Sequence, residues 1–223
     1  MSRSRARELA KDFLERGDAL GWFEALYAEA EGAAERVPWA DLAPNPHLQR
    51  WLDENATRGD GLRALVVGCG LGDDAELLGA LGFEVTAFDI SAEAIKWSRR
   101  RFPDSKADYV IADLFESPSE WREAFHLVVE INTLQVLPPH LRPAAISAMV
   151  NSVTPGGAAI VIARGRETND DPGSMPWPLT RDDLDAFVQS GLKLISFEDF
   201  FDQEDPPVRR FRVQYHKPIG VNP

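Results

Sequence analysis

A chain of 223 residues, 44% apolar and 27% charged, has the balance of a globular domain with a core of useful size. Its 24 Lys and Arg face 36 Asp and Glu, and the formal charge of −12 has the wrong sign for a surface that grips nucleic acid or anionic lipid. One cysteine, Cys69, excludes an intramolecular disulfide and a multi-cysteine zinc site, and no metal centre is expected.

The start, Met1-Ser-Arg-Ser-Arg-Ala-Arg7, is basic and reads as disordered in its first residues. Glu8, Lys11, Asp12 and Glu15 follow where a signal peptide would carry its apolar stretch. No apolar run approaches the roughly 20 residues of a spanning helix. These features, with the lone thiol, predict a cytoplasmic protein. Residues 5–35 are predicted helical, broken near Gly17, with Leu9, Phe13, Leu20, Phe23 and Leu26 among charged neighbours. Residues 37–46 hold three prolines and form a loop, and a helix follows from Pro46 to Asn55.

From residue 62 strands and helices alternate. Strands are expected at 62–67, 83–88 (ending at Asp89), 108–112, 125–131 and 157–163, with helices at 73–81, from a Ser91 cap, and at 138–153. Thr180 caps a helix running to Ser190. Two late strands, 193–197 and 210–216, flank an acidic, proline-containing loop and are expected to pair as a hairpin. The pattern is α/β: a Rossmann-like, mostly parallel sheet of seven strands with an antiparallel last strand, helices on both faces and an N-terminal helical cap. Residues 1–60 read as the cap and lead-in of the same domain, and 61–223 as the sheet domain.

The strongest chemical signal is Val66-Val-Gly68-Cys69-Gly70-Leu71-Gly72-Asp73-Asp74, a glycine loop between a strand and a helix. Glycines there permit a tight turn and close approach of a ligand to backbone. A dinucleotide fingerprint, G-x-G-x-x-G, needs glycine at 73, where this chain has Asp73. Two carboxylates at the helix start repel a pyrophosphate, unless they serve only the helix dipole. S-adenosylmethionine, cationic and phosphate-free, fits better. Asp89 ends the second strand, where an acid accepts ribose hydroxyls or simply caps the next helix. Asp113 ends the third, placed for an adenine amino group with Ile90 and Leu114 on the ring, or as a turn residue. Glu130 ends the fourth, followed by Ile131 and Asn132. A buried acid there needs a partner, either a cationic cofactor or an arginine. All these positions share the C-terminal ends of strands, where open α/β sheets bind ligands.

Taken together, the chain resembles the class I S-adenosylmethionine-dependent methyltransferases over residues 37–217. Val66–Gly72 is similar to the family's first motif, Asp89 to its ribose ligand, Ala112-Asp113-Leu114 to its adenine-side motif, and Glu130–Leu137 to the segment beside the methionine moiety. The resemblance implies a cofactor site of Trp39, Gly68, Cys69, Gly70, Asp89, Ile90, Ala112, Asp113, Leu114, Glu130, Ile131 and Asn132. Trp22, Val37-Pro-Trp39 and Pro44-Asn-Pro46-His-Leu48 resemble the segment that lies over the cofactor in the thiopurine, thiol and halide methyltransferase group, although no thiopurine-specific residue is identifiable. The Pro-Pro-aromatic motif of DNA amino-methylating enzymes is missing at Glu130–Thr133. Cys69 reads as a small packed residue, not a nucleophile.

A small-molecule acceptor is expected, with a thiol or other soft nucleophile favoured. A thiolate needs little help, whereas a hydroxyl or amine wants a base, for which His47 and His140 are candidates. His126 and His216 read as structural. Tyr27, Trp39, Gln135, Arg164, Arg166 and Trp177 are acceptor-side candidates, and either arginine could instead pair with Glu167, Asp170 or Asp171. An NAD-dependent oxidoreductase and a non-catalytic cofactor-binding protein are the competing readings.

Overall fold

The computed structural model describes residues 3–220. Met1 and Ser2, at the start expected to be disordered, lie outside the described residues. From Arg3 that basic start is helical. Seven strands form one sheet in the order β3-β2-β1-β4-β5-β7-β6, with ranges given below. The residues divide into two compact units, one of residues up to Gly61 with Gly68–Asp113, the other of Leu62–Val67 with Leu114 onward.

In the first unit, helices α1 (Arg3–Glu15) and α2 (Gly21–Ala30) replace the single broken helix expected there. The positive φ of Gly17 (79°) ends the first, which only glycine accommodates without strain. Helix α3 (Pro46–Glu54) starts sharply because Asn45 accepts hydrogen bonds from the N–H groups of His47 and Leu48, and Pro46 needs none. Helix α4 (Asp73–Ala80), β2 (Glu84–Asp89), α5 (Ala92–Arg101) and β3 (Asp108–Ile111) follow. Ser91 caps α5 through the Ala94 N–H, and Arg99, Arg100 and Arg101 sit in its last turn, favourable to the dipole. Strands β2 and β3 run parallel, with Asp89 opposite Ile111. The lead-in therefore belongs to the same compact unit as the glycine loop.

The second unit holds β1 (Arg63–Val67), β4 (Phe125–Ile131), α6 (Arg142–Ser152), β5 (Val153–Arg164), α7 (Arg181–Gln189), β6 (Lys193–Phe201) and β7 (Arg209–His216). Strand β4 pairs in parallel with β1 and β5, and β7 pairs antiparallel with both β5 and β6. The reversed last strand thus lies between two neighbours. The expected helix over 138–153 is shorter: a 3₁₀ turn at Pro139–Leu141 precedes α6, and Val153 already belongs to β5. Helix α7 begins with a complete capping box between Thr180 and Asp183. His126 Nδ1 accepts the Arg63 N–H, a structural use. Among the described residues no helix is long and apolar enough to cross a membrane.

Candidate functional site

The first unit's glycine loop turns through Gly68, Gly70 and Gly72, with φ of 62°, 53° and 94°. All three are left-handed, which explains the G-x-G-x-G spacing. Gly72 is obligatory twice over, because a Cβ there would lie 2.5 Å from the Tyr109 hydroxyl. At Gly70 a Cβ would lie 3.2 Å from the Tyr27 hydroxyl, so the loop backbone is bare toward that side chain.

Asp89 anchors the loop. Its Oδ2 accepts the Gly70 N–H (3.0 Å) and its Oδ1 the Ser91 N–H (2.9 Å). The Cys69 N–H donates to the Phe88 carbonyl (2.8 Å), tying the turn to β2. Asp89 is only 6% exposed, and burial raises its carboxyl to about 6 despite those N–H donors. The same environment pushes the Cys69 thiol well up, burial first and Asp89 second, so it stays protonated and unreactive.

Asp73 and Asp74 do not stand free at the helix start. Arg101 donates to both oxygens of Asp73 (2.6 and 2.7 Å) and to the Leu71 carbonyl. Asp74 accepts the Asn45 N–H (2.7 Å), and burial raises it to about 6. The charge expected to repel a pyrophosphate is therefore largely absorbed in building the loop. What still distinguishes the turn is the carboxylate side chain at 73 in place of a third glycine.

The lead-in reaches this loop through aromatics. Trp39 Nε1 donates to the Tyr27 hydroxyl (2.9 Å), and its ring stands edge-on to Trp22, Phe23 and Tyr27. Trp39 stays 37% exposed while Tyr27 is buried. Tyr27, expected on the acceptor side, lies against the glycine loop. Sequence reasoning missed Glu24. Its Oε2 accepts the Ser91 hydroxyl (2.6 Å) and the Glu93 N–H (3.1 Å), fixing the start of α5 just beyond Asp89. Nothing local distinguishes Glu24 from Glu29, the other acid of its helix. The Ala112 N–H donates to the Asp89 carbonyl (3.1 Å), which sets Ala112 and Asp113 beside the end of β2. Ile90, part-buried, follows Asp89 directly. His47 sits in the first turn of α3, in this unit.

In the second unit Glu130 is 1% exposed at the end of β4, between Val67 of β1 and Val161 of β5. Its Oε1 accepts the N–H groups of Thr133 (2.6 Å) and Leu134 (2.9 Å). Its Oε2 has no hydrogen-bond partner among the described residues, so the arginine considered from sequence does not hold it. Burial raises the carboxyl to about 7. Ile131 ends β4, and Asn132 follows with φ 63°, its N–H donating to the Ile162 carbonyl. Leu114 is buried on a 3₁₀ turn.

Gln135, Arg164, Arg166 and Trp177 come together, but as a braced loop. The Arg164 N–H donates to Gln135 Oε1 (2.8 Å) and the Trp177 N–H to the Gln135 carbonyl (2.7 Å). The Arg166 guanidinium donates to the carbonyls of Pro178, Glu167, Thr168 and Asp170 rather than to carboxylates. His140 is exposed on the turn before α6.

Residues 64–157 match the model of a methyltransferase domain. Over 87% of the chain and 83% of the relative, the sequence is 25% identical to a probable thiol methyltransferase of Arabidopsis thaliana. A ubiquinone biosynthesis O-methyltransferase of Aromatoleum aromaticum is 34% identical, over 51% of this chain and 48% of that protein. The N-methyltransferase NodS of Bradyrhizobium japonicum, solved with S-adenosyl-L-homocysteine, superposes with a TM-score of 0.67 at 20% identity, covering 85% of this chain and 96% of that one. A structure from work on converting a disulfide into a thioacetal in echinomycin biosynthesis gives 0.73 at 21%, covering 90% and 92%.

Proposed function

Because the chain is a class I S-adenosylmethionine-dependent methyltransferase, we propose that it methylates a small molecule at a soft nucleophile, a thiol before an oxygen or nitrogen. The observation that carries this reading is the lead-in: Trp39 and Tyr27 join the glycine loop, and this lead-in lies in a chain similar over most of its length to a thiol methyltransferase. The O-methyltransferase likeness spans only about half of either chain.

The loop fits the cofactor. Bare backbone at Gly68, Cys69 and Gly70 would lie along it, and Asp89 would take both ribose hydroxyls in place of part of its present N–H set. Ile90, Ala112 and Asp113 would flank the adenine, and Trp39 would present an aromatic face favourable to a cation. When bound, the cofactor supplies a methyl group on a sulfonium. The chain's own task is to orient the acceptor in line with it and to keep water out. A net charge of −12 and the missing Pro-Pro-aromatic motif support a small acceptor over nucleic acid, and a single cysteine with no disulfide partner fits a reducing, cytoplasmic setting.

Calorimetry with S-adenosylhomocysteine, followed by methyl transfer to matched thiols, phenols and amines, tests the reading. Binding with fastest turnover of thiols is expected. Faster turnover of phenols or amines overturns the acceptor class.

A further inference from the structure

The chain's three tyrosines, all buried, use their hydroxyls differently. Tyr109 donates to Glu76 Oε1 (2.7 Å) and Tyr215 to the Leu184 carbonyl (2.9 Å). The Tyr27 hydroxyl only accepts, from Trp39 Nε1 (2.9 Å), and among the described residues nothing takes its proton. A phenol has a proton to give as well as lone pairs, and a buried donor left unmatched is costly. Burial first, and the Asp89 charge second, hold this phenol well above its ordinary range, so the proton stays on the oxygen.

The first unit fixes where that proton is presented. A Cβ on Gly70 would lie 3.2 Å from the hydroxyl, which therefore rests against the residue whose N–H donates to Asp89 Oδ2 (3.0 Å). The Tyr27 ring stands edge-on to Trp39 and Trp97, with centroids 6.0 and 6.3 Å away, and these contacts hold it in place. Asp89 does not take the proton; its oxygens accept the Gly70 and Ser91 N–H groups. An ionised carboxylate and a phenolic donor thus flank one turn of the glycine loop. A ligand group that matches both must donate to the first and accept from the second. A hydroxyl does so. A carboxylate only accepts and is repelled by Asp89, and an ammonium only donates.

We propose that the Tyr27 hydroxyl binds the cofactor by donating to a ribose hydroxyl oxygen, the same hydroxyl whose own proton goes to Asp89. This rests on the cofactor reading above, in which Asp89 takes the ribose, and it moves Tyr27 from the acceptor side to the nucleoside. No covalent bond is made or broken. Replacing that hydroxyl by hydrogen leaves two protein groups unmatched, so the pair selects a ribonucleoside over its deoxy analogue. Trp39 acts through Tyr27, because its N–H occupies a lone pair and leaves the proton for the ligand.

The test is calorimetry of wild type and Tyr27→Phe with four ligands: S-adenosylhomocysteine, 5′-methylthioadenosine, which keeps the ribose but lacks the amino-acid arm, and the 2′-deoxy and 3′-deoxy forms of the latter. Phenylalanine keeps the ring and removes one oxygen. Expected is a loss of roughly 3- to 10-fold in affinity, equal for S-adenosylhomocysteine and 5′-methylthioadenosine. The loss should persist with one deoxy ligand and vanish with the other, a coupling that a packing defect does not produce. No loss with any ligand, the same loss with all four, or a loss confined to S-adenosylhomocysteine overturns the proposal. If Tyr27→Phe does not fold, wild type made with 3-fluorotyrosine, a stronger hydrogen-bond donor, carries the test. It must bind 5′-methylthioadenosine more tightly and one deoxy form no more tightly, and equal effects on all ligands overturn the proposal. Wild type indifferent to both deoxy changes removes the ribose from Asp89 and the proposal with it. Wild type that binds none of the four ligands sinks the cofactor reading itself.

Discussion

Asp89 illustrates how one side chain can build a loop and still be poised for a ligand. Its oxygens hold the Gly70 and Ser91 N–H groups, and neither meets a cation in those contacts. Asp89→Asn keeps the size but replaces one accepting oxygen with an amide donor, which either faces a backbone N–H donor to donor or leaves a ribose hydroxyl without its charged acceptor. Hydrogen bonds to charged groups contribute about 1.5–3 kcal/mol. S-adenosylhomocysteine affinity is therefore expected to fall at least about tenfold, read by calorimetry, and an unchanged affinity would remove the ribose role. Gly72 makes a sharper steric case. Gly72→Ala forces a Cβ to 2.5 Å from the Tyr109 hydroxyl at φ 94°, with ring carbons at 3.0 and 3.1 Å behind it. Backbone strain of this kind costs about 1–3 kcal/mol, and the clash adds to it. Urea unfolding should show a loss of at least that size. A loss below it would mean that the loop moves freely away from Tyr109.

At the scale of elements, caps are where local chemistry and fold agree. Thr180 and Asp183 exchange hydrogen bonds at the start of α7, and Asp183 also meets the buried Arg142 (3.4 Å). Thr180→Ala is expected to destabilise by about 1 kcal/mol, the usual cost of a lost N-cap, with the urea slope unchanged. A neutral result would mean that packing of Leu184 and Phe187 alone sets the start of the helix. The same locality explains what was legible in the sequence. Ser91 and Thr180 announced their helices, and the apolar runs at 62–67 and 125–131 announced their strands. Strand ends carrying Asp89, Asp113 and Glu130 were legible because alternation alone puts them there. The α6–β5 junction was not, since Val153 continues an apolar helical pattern and is claimed for the strand by pairing with Phe125. Glu24 was invisible for a related reason. It serves Ser91 across 67 positions of sequence, and no spacing rule spans that distance. Tyr27 and Arg166 were noticed, but not the Trp39 indole and the Pro178 carbonyl they meet, because residue type identifies a capable side chain without saying which partner it will find.

For the molecule as a whole, the excess of acid sets a direction for stability with pH. Asp89 and Glu130 are buried and Asp74 is part-buried, and desolvation lifts their carboxyls to about 6 for Asp74 and Asp89 and about 7 for Glu130. Each folded value lies above the ordinary carboxylate range near 4. The folded state therefore holds these protons more tightly than the unfolded chain. The stability this contributes is fully present below about pH 4 and is lost as pH rises through 6 and 7. Paired surface acids act in the opposite sense. Arg5 lowers Glu29, and Arg209 lowers Asp199, so their contribution fades only as pH falls below the usual carboxylate range. Between pH 5 and 8 the buried acids dominate. The melting temperature of the ligand-free protein is expected to fall over that interval. General repulsion among the acids of a −12 chain acts in the same direction, but it is screened by salt, whereas buried carboxyls are not. Repeating the series at high salt separates the two effects. The decline should persist there, and Glu130→Gln, lacking the highest of the three, should flatten its upper part. A melting temperature constant or rising from pH 5 to 8 at high salt would show that these carboxyls stay ionised in the folded protein.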